Sequence, residues 1–221
     1  MKILIINGTP QLKGVTHSFV LAAHKAIQDA GAEADEMNLS KMNLTKCKMC
    51  YTGWGICFEE HKCVFGDKDG FNDLQKRVEE ADAYIYITPV YWGEVSEEMK
   101  LFIDKLRRCQ ATKKWDRRED ENSFLIGKPS ILVAVAGGGG GGILTTLQAI
   151  ERAITQMGGD GQPREKEGIF DYIGVNRWNQ DFKRDAFYLS VKEMIAIKRG
   201  EKEAPDMDRT QWTVPKAVKN S

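Results

Sequence analysis

Short apolar runs alternate with helix-length amphipathic segments along almost the whole chain. Residues 1–7 (MKILIIN) are nearly all apolar and end in a turn, which predicts a strand buried on both faces. From about Thr16 to Ala30 the period changes. Phe19, Val20, Ala23 and Ile27 then share one helical face, and Gly31 follows as a stop signal. Residues 33–39 alternate weakly and predict a peripheral second strand. A helix over Gly70–Ala81 leads into AYIYITPV, a β-branched and aromatic strand stopped at Pro89. Ser96 opens the next helix, with Glu97 and Glu98 in its first turn and Arg107 and Arg108 in its last, charges that suit its dipole. Val95, Met99, Phe102 and Leu106 form its buried stripe. The polar stretch from Gln110 to Lys128 reads as a surface excursion. PSILVAVA is the most apolar strand, followed by Gly137–Gly142 and a helix from about Leu144 to Met157. A last strand near Gly168–Gly174 and a helix near Asp181–Ile197 complete the pattern.

Strands and helices in alternation predict a parallel sheet covered on both faces. Five strands suit a flavodoxin-like α/β sandwich with strand order 2-1-3-4-5, in which ligands sit beyond the strand C-termini between strands one and three. Residues 1–198 are expected to form this single domain. Residues 199–221 read as a polar tail in which Trp212 suggests a docking point.

Three unusual loops follow strands one, three and four. The first, NGTPQLKGVTH, joins a buried strand to a helix and offers backbone N–H groups, a helix dipole and the hydroxyls of Thr9, Thr16 and Ser18 to an anion. No Gly-Lys-Ser/Thr closes it, so it is not a P-loop, and an ordinary turn with Thr16 as N-cap weighs equally. In the second, PVYWGEVS, Tyr91 and Trp92 stand where a flat ligand could stack, or pack under a helix or at a subunit interface. The third is the hexaglycine. Six glycines are costly to order and make sense where side chains must be absent, as beneath a planar ligand. Its match to G-x-G-x-x-G carries little, because any glycine run produces it.

Composition narrows the function classes. Lys+Arg and Asp+Glu balance at 32 each in 221 residues, which argues against a nucleic-acid or membrane partner held by bulk charge. No secretory signal is read in the first residues, and Ile131–Leu144, broken by six glycines, falls short of the roughly 18 residues of a membrane span. A cytoplasmic protein is expected, with cysteines present as thiols, thiolates or ligands. Four of the five cysteines, Cys47, Cys50, Cys57 and Cys63, lie within KCKMCYTGWGICFEEHKC. On spacing alone a metal site, a redox pair and a thiol-bearing loop all stay open.

NGTPQLKGVTHSF resembles the S-G-S-P-R-x-x-x-N-T phosphate loop of NADPH-dependent FMN reductases and iron–sulfur flavoproteins. ADAYIYITPVYWGEVSEEMKLFIDKL resembles that group's A-D-x-(apolar)-P-V-Y-(aromatic)-G…K-x-F-x-D-R segment, and the glycine run resembles its third flavin loop. The similarity covers roughly residues 1–160. It implies that Thr9, Gln11, Val15 and Thr16 hold the phosphate of FMN, while Pro89, Val90, Tyr91, Trp92, Gly93 and Gly137, Gly138, Gly139 hold the isoalloxazine. Two positions depart from the pattern: Gln11 stands at the family's Arg and Val15 at its Asn. Phosphate binding then loses a charge-assisted contact and leans on backbone N–H groups and the dipole. The resemblance further implies NAD(P)H as co-substrate, hydride passage through flavin to a small acceptor such as a quinone or flavin, and a homodimer or homotetramer with flavin near the interface.

The iron–sulfur flavoproteins of that group carry a C-x2-C-x2-C-x(4–7)-C cluster loop, and flavin-only relatives also carry a thiol-rich loop at this place. Here Cys47 and Cys50 match its first pair, Gly53 stands at the third position, and Cys57 comes four residues late. Small buried residues pinning a loop beside the site come first among the readings, an iron–sulfur cluster second, and zinc, with His61 as substitute ligand, third. Cys109 reads as core, and His17 as a solvated residue on the first helix, which also carries His24. Of the functions, a flavin-dependent NAD(P)H oxidoreductase leads. A non-enzymatic electron carrier is the alternative, although flavodoxins are markedly acidic and this chain is neutral. Gln11 and Val15 keep open a relative that has lost flavin.

Overall fold

The structure, a computed structural model, describes residues 1–50, 57, 59–115, 125, 127–157 and 168–204. Five strands, β1 (Lys2–Asn7), β2 (Glu33–Asn38), β3 (Ala83–Pro89), β4 (Pro129–Val135) and β5 (Gly168–Val175), form one parallel sheet in the order 2-1-3-4-5. The helices between and after them are α1 (Val15–Asp29), α2 (Phe71–Glu80), α3 (Glu97–Trp115), α4 (Ile143–Gln156) and α5 (Gln180–Lys198). A 3-10 turn, Leu39–Lys41, follows β2.

The apolar strands read as continuous runs because both of their faces are covered. Ile3, Ile5, Ile85, Ile87 and Val133 point toward α1 and α5, where Phe19, Val20, Ile27, Phe187 and Val191 meet them. The alternate residues Leu4, Ile6, Tyr84, Tyr86 and Leu132 point toward α2, α3 and α4. Each of these fully buried side chains contributes about 1.5–3 kcal/mol from area removed from water. The stripes read on α1 and α3 are all buried, and Cys109 lies with them at 1% exposure.

One boundary is corrected. α3 does not end near Cys109 but continues to Trp115, because no Gly or Pro interrupts the chain before Gly127. Gln110 is therefore a buried helical residue rather than the start of an exposed loop, and Arg107 and Arg108 sit within the helix. The rest of the expected excursion lies mostly outside the described residues. So does the tail beyond residue 204, Trp212 included. Among the described residues, no helix is long and apolar enough to cross a membrane.

Pairing brings the strand C-termini together: Asn7 lies opposite Ile87, Pro89 opposite Val135, and Val135 opposite Val175. Every loop that leaves this edge can face one cleft.

Candidate functional site

The first loop is shaped by Asn7, fully buried at the end of β1. Its Oδ1 accepts the Thr9 N–H at 2.9 Å while its Nδ2 donates to Glu36 at 2.9 Å. Glu36 in turn is hydrogen-bonded to His24 Nε2 at 2.8 Å, so His24 acts as a brace behind the loop. Burial pushes the Glu36 carboxyl up, but the Asn7 and His24 hydrogen bonds outweigh it and leave its pKa lowered. Helix α1 begins at Val15 rather than Thr16. Gly14 is its N-cap, with no side-chain hydrogen bond to the first turn. The opening N–H groups of α1 are thus left without a side-chain cap at the cleft, where they present partial positive charge.

The second loop is a tight reversal. The Tyr91 N–H donates to the Glu94 carbonyl at 2.9 Å, and the Glu94 N–H donates back at 3.0 Å. Trp92 and Gly93 have φ of 52° and 85°, the two positive values that a type I′ turn requires. Trp92, a bulky residue in a conformation that side chains disfavour, projects wholly into solvent. Tyr91 remains at the cleft, 44% exposed, and burial together with Glu98 raises its phenol pKa. Ser96 ties the first and second loops together. Its hydroxyl donates to the Gly8 carbonyl at 2.6 Å and accepts the Met99 N–H at 3.3 Å as the cap of α3.

The third loop packs against the second through bare backbone. A Cβ on Gly142 would lie 2.4 Å from the Gly93 Cα, and the Thr145 hydroxyl donates to the Gly93 carbonyl at 2.6 Å. Gly137 and Gly138 have open space where a side chain would project.

Together these loops enclose an open cleft of about 490 Å³. Of the residues singled out from the sequence, Thr9, Gln11, Val15, Thr16, Pro89, Val90, Tyr91 and Gly137 line it. Trp92, Gly93, Gly138 and Gly139 stand beside it, each for a local reason. Trp92 turns outward and Gly93 packs on Gly142. The Gly138 carbonyl accepts the Arg177 N–H at 3.2 Å, and the ring of Trp178 covers Gly139, 3.5 Å from where a Cβ would stand. The sequence reading missed a fourth wall, the β5–α5 connection, which contributes Asn176, Arg177 and Gln180. Its signal was its place, directly after a strand at the ligand-bearing edge. Asn7 and Ser96 were also missed as positioning residues.

The described cysteines share no wall with the cleft. Cys47, Cys50, Cys57, Cys63 and Cys109 face a common narrow cavity of about 30 Å³, together with Lys105 and Arg108. That is room for roughly two waters. Among the described residues, no three of the thiols, with or without His61, are grouped so as to hold a metal ion. All five are free thiols, and burial raises the pKa of Cys57, Cys63 and Cys109. The loop is held instead by Asp69. Asp69 accepts the Thr45 N–H and hydroxyl at 2.9 and 2.7 Å and forms a buried ion pair with Lys105, their side chains 4% and 2% exposed. Residues 51–56, where Gly53 lies, fall outside the described residues.

A family model described as NADPH-dependent FMN reductase matches residues 1–158, well over half of the chain. The chain belongs to the NADPH-dependent FMN reductase family. Among curated relatives, an iron–sulfur flavoprotein of Archaeoglobus fulgidus is 34% identical over 106 residues, covering 48% of this chain and 46% of that protein. One of Methanocaldococcus jannaschii is 35% identical over 107 residues, covering 48% and 52%. The chain thus spans about half the length of these two relatives. Two solved structures share the fold at low identity. An NAD(P)H:quinone oxidoreductase from Methanothermobacter marburgensis has TM-score 0.61 and 16% identity, with 91% of this chain and 96% of that one covered. An FMN-dependent NADH-azoreductase from Bacillus anthracis, in complex with FMN, has TM-score 0.61 and 11% identity, with 89% and 98% covered. The match to the FMN reductase family ends before β5, so Arg177 lies beyond it.

Proposed function

We propose that the cleft binds FMN and that the protein is an NAD(P)H oxidoreductase passing hydride through that flavin to a small acceptor such as a quinone or a free flavin. The observation that carries this reading is the meeting of an uncapped helix N-terminus, an aromatic turn and a side-chain-free glycine loop on one cleft. The α1 N–H groups and the Thr9 and Thr16 hydroxyls suit the phosphate. Pro89, Val90 and Tyr91 on one side and Gly137 on the other suit a flat ring, which can lie directly on backbone where no Cβ projects. Trp92, Gly93, Gly138 and Gly139 support these walls from behind. Bound there, FMN supplies two-electron hydride chemistry, and the protein positions the rings and excludes water. With no carboxylate, histidine or cysteine among the described residues lining the cleft, the part of these residues is binding and orientation.

The thiol cavity takes no step in this scheme, and its residues serve to fix the loop. A cytoplasmic location and assembly into a homodimer or homotetramer belong to the same reading. The outward Trp92, Trp178 and Phe182, all strongly exposed in the single chain, support an interface beside the cleft. The electron carrier is the weaker reading, because flavodoxins are markedly acidic to dock redox partners and this chain has zero net charge.

The test is the visible spectrum of freshly purified, anaerobically handled protein before and after NADPH. Yellow that bleaches supports the enzyme, and yellow indifferent to both nicotinamides supports the carrier. A colourless protein that takes up no added FMN would falsify both. Thr16→Glu is expected to abolish FMN retention by placing a negative charge at the phosphate.

A further inference from the structure

We infer that Arg177, on the β5–α5 connection, is the cation that recognises the FMN phosphate, in place of the arginine whose position Gln11 occupies. The inference rests on the flavin reading above and assigns it a residue. Among the described residues lining the cleft, Arg177 alone carries a formal charge. Its backbone is fixed, the N–H donating to the Gly138 carbonyl at 3.2 Å. Its guanidinium makes no hydrogen bond or ion pair among the described residues. Arg177 is exposed at the cleft, and among the described residues lining it no carboxylate competes with an incoming anion.

The helices place that anion. α1 and α5 pack side by side on one face of the sheet, through Phe19 and Phe187 with ring centroids 5.7 Å apart. The first turn of α1 also meets the second turn of α5, since Arg184 Nη1 lies 3.4 Å from the Ser18 hydroxyl. The connection entering α5 therefore stands next to the uncapped start of α1. Other cations nearby are less suited. Arg184 is engaged by Asp181 at 2.6 Å, and Lys13 is absent from the cleft wall. A guanidinium meets a phosphate with two parallel N–H donors, supplying the charge-assisted contact that Gln11 cannot.

The experiment measures dissociation constants of FMN and riboflavin, by flavin fluorescence, for the flavin-stripped full chain and three variants. Riboflavin has the same ring and no phosphate. Arg177→Gln is expected to weaken FMN about 10- to 100-fold, the range of a charge-assisted hydrogen bond, and to leave riboflavin within about twofold. Gln11→Arg in the Arg177→Gln background is expected to recover about tenfold or more, and Arg177→Lys to fall between wild type and Arg177→Gln. Equal loss for both flavins would make Arg177 a structural residue and overturn the inference. So would unchanged FMN binding, including the case in which the NADPH KM rises while the NADH KM holds, which would give Arg177 to the nicotinamide's phosphate. A wild-type chain that binds neither flavin would remove the flavin reading and this inference together, whereas the other adverse outcomes leave that reading standing.

Discussion

Tyr84 and Tyr86 point to the same face of β3, their ring centroids 6.3 Å apart, yet their hydroxyls fare differently. The Tyr84 hydroxyl donates to the Val78 carbonyl at 2.7 Å. That of Tyr86, 1% exposed, meets no partner among the described residues. Burial drives the Tyr86 phenol far above its ordinary range, so it stays protonated and unsatisfied. An unpaired buried hydroxyl costs about 1–3 kcal/mol. Tyr86→Phe is therefore expected to leave stability unchanged or raise it by about 1 kcal/mol, read from urea unfolding. A loss of more than about 1 kcal/mol would show that the hydroxyl is bonded in the folded protein. The sequence says only that Tyr86 lies on a buried strand. Its hydroxyl's environment depends on three helices that approach from elsewhere in the chain, and so could not be read from local pattern.

At the scale of elements, the legible and illegible parts divide by range. β1, β3 and β4 were readable because burial on both faces leaves unbroken apolar runs, and α1 and α3 because their stripes repeat at helical spacing. The length of α3 is not legible in the polarity after Cys109, because Lys and Arg suit a helix as well as a surface loop. Two contacts between elements were invisible. Gly142 abuts Gly93 with φ of 83°, so Gly142→Ala forces the second and third loops apart. It is expected to cost about 1–3 kcal/mol and to weaken FMN retention, measured by thermal unfolding and by flavin content after gel filtration. The buried Asp69–Lys105 pair joins the thiol-rich loop to α3. Burial pushes the Asp69 carboxyl up, but the Lys105 and Thr45 hydrogen bonds prevail and lower its pKa. A carboxyl lowered on folding adds stability above its unfolded pKa of about 3.9, and that stability is lost as pH falls through the folded value. The contribution of this pair should hold from neutral pH down to about pH 4 and fall below it. Asp69→Asn strands a buried ammonium and is expected to cost about 3–5 kcal/mol at pH 7 while flattening the acid limb, both measured by urea unfolding across pH.

For the whole molecule, the same edge that gathers the loops couples folding to ligand. The cleft takes residues from the loops after β1, β3, β4 and β5, so occupancy stabilises the native arrangement of sheet and helices at once. A ligand bound only by the native state adds RT ln(1 + [L]/Kd), about 2.7 kcal/mol at a hundredfold excess over Kd. For a chain of this size each kcal/mol moves the thermal midpoint by about 2–4 °C. FMN at that excess is thus expected to raise the midpoint by about 5–10 °C, riboflavin by less at equal concentration, and NADPH alone by little. The thiol cavity offers an internal control, since its cysteines line a separate space and share no wall residue with the cleft. Cys47→Ser should keep the full FMN shift, whereas Thr16→Glu should abolish it. If Cys47→Ser also lost the shift, the thiol-rich loop would be coupled to flavin binding through β2, the strand that lies beside β1 and holds Asn7 through Glu36.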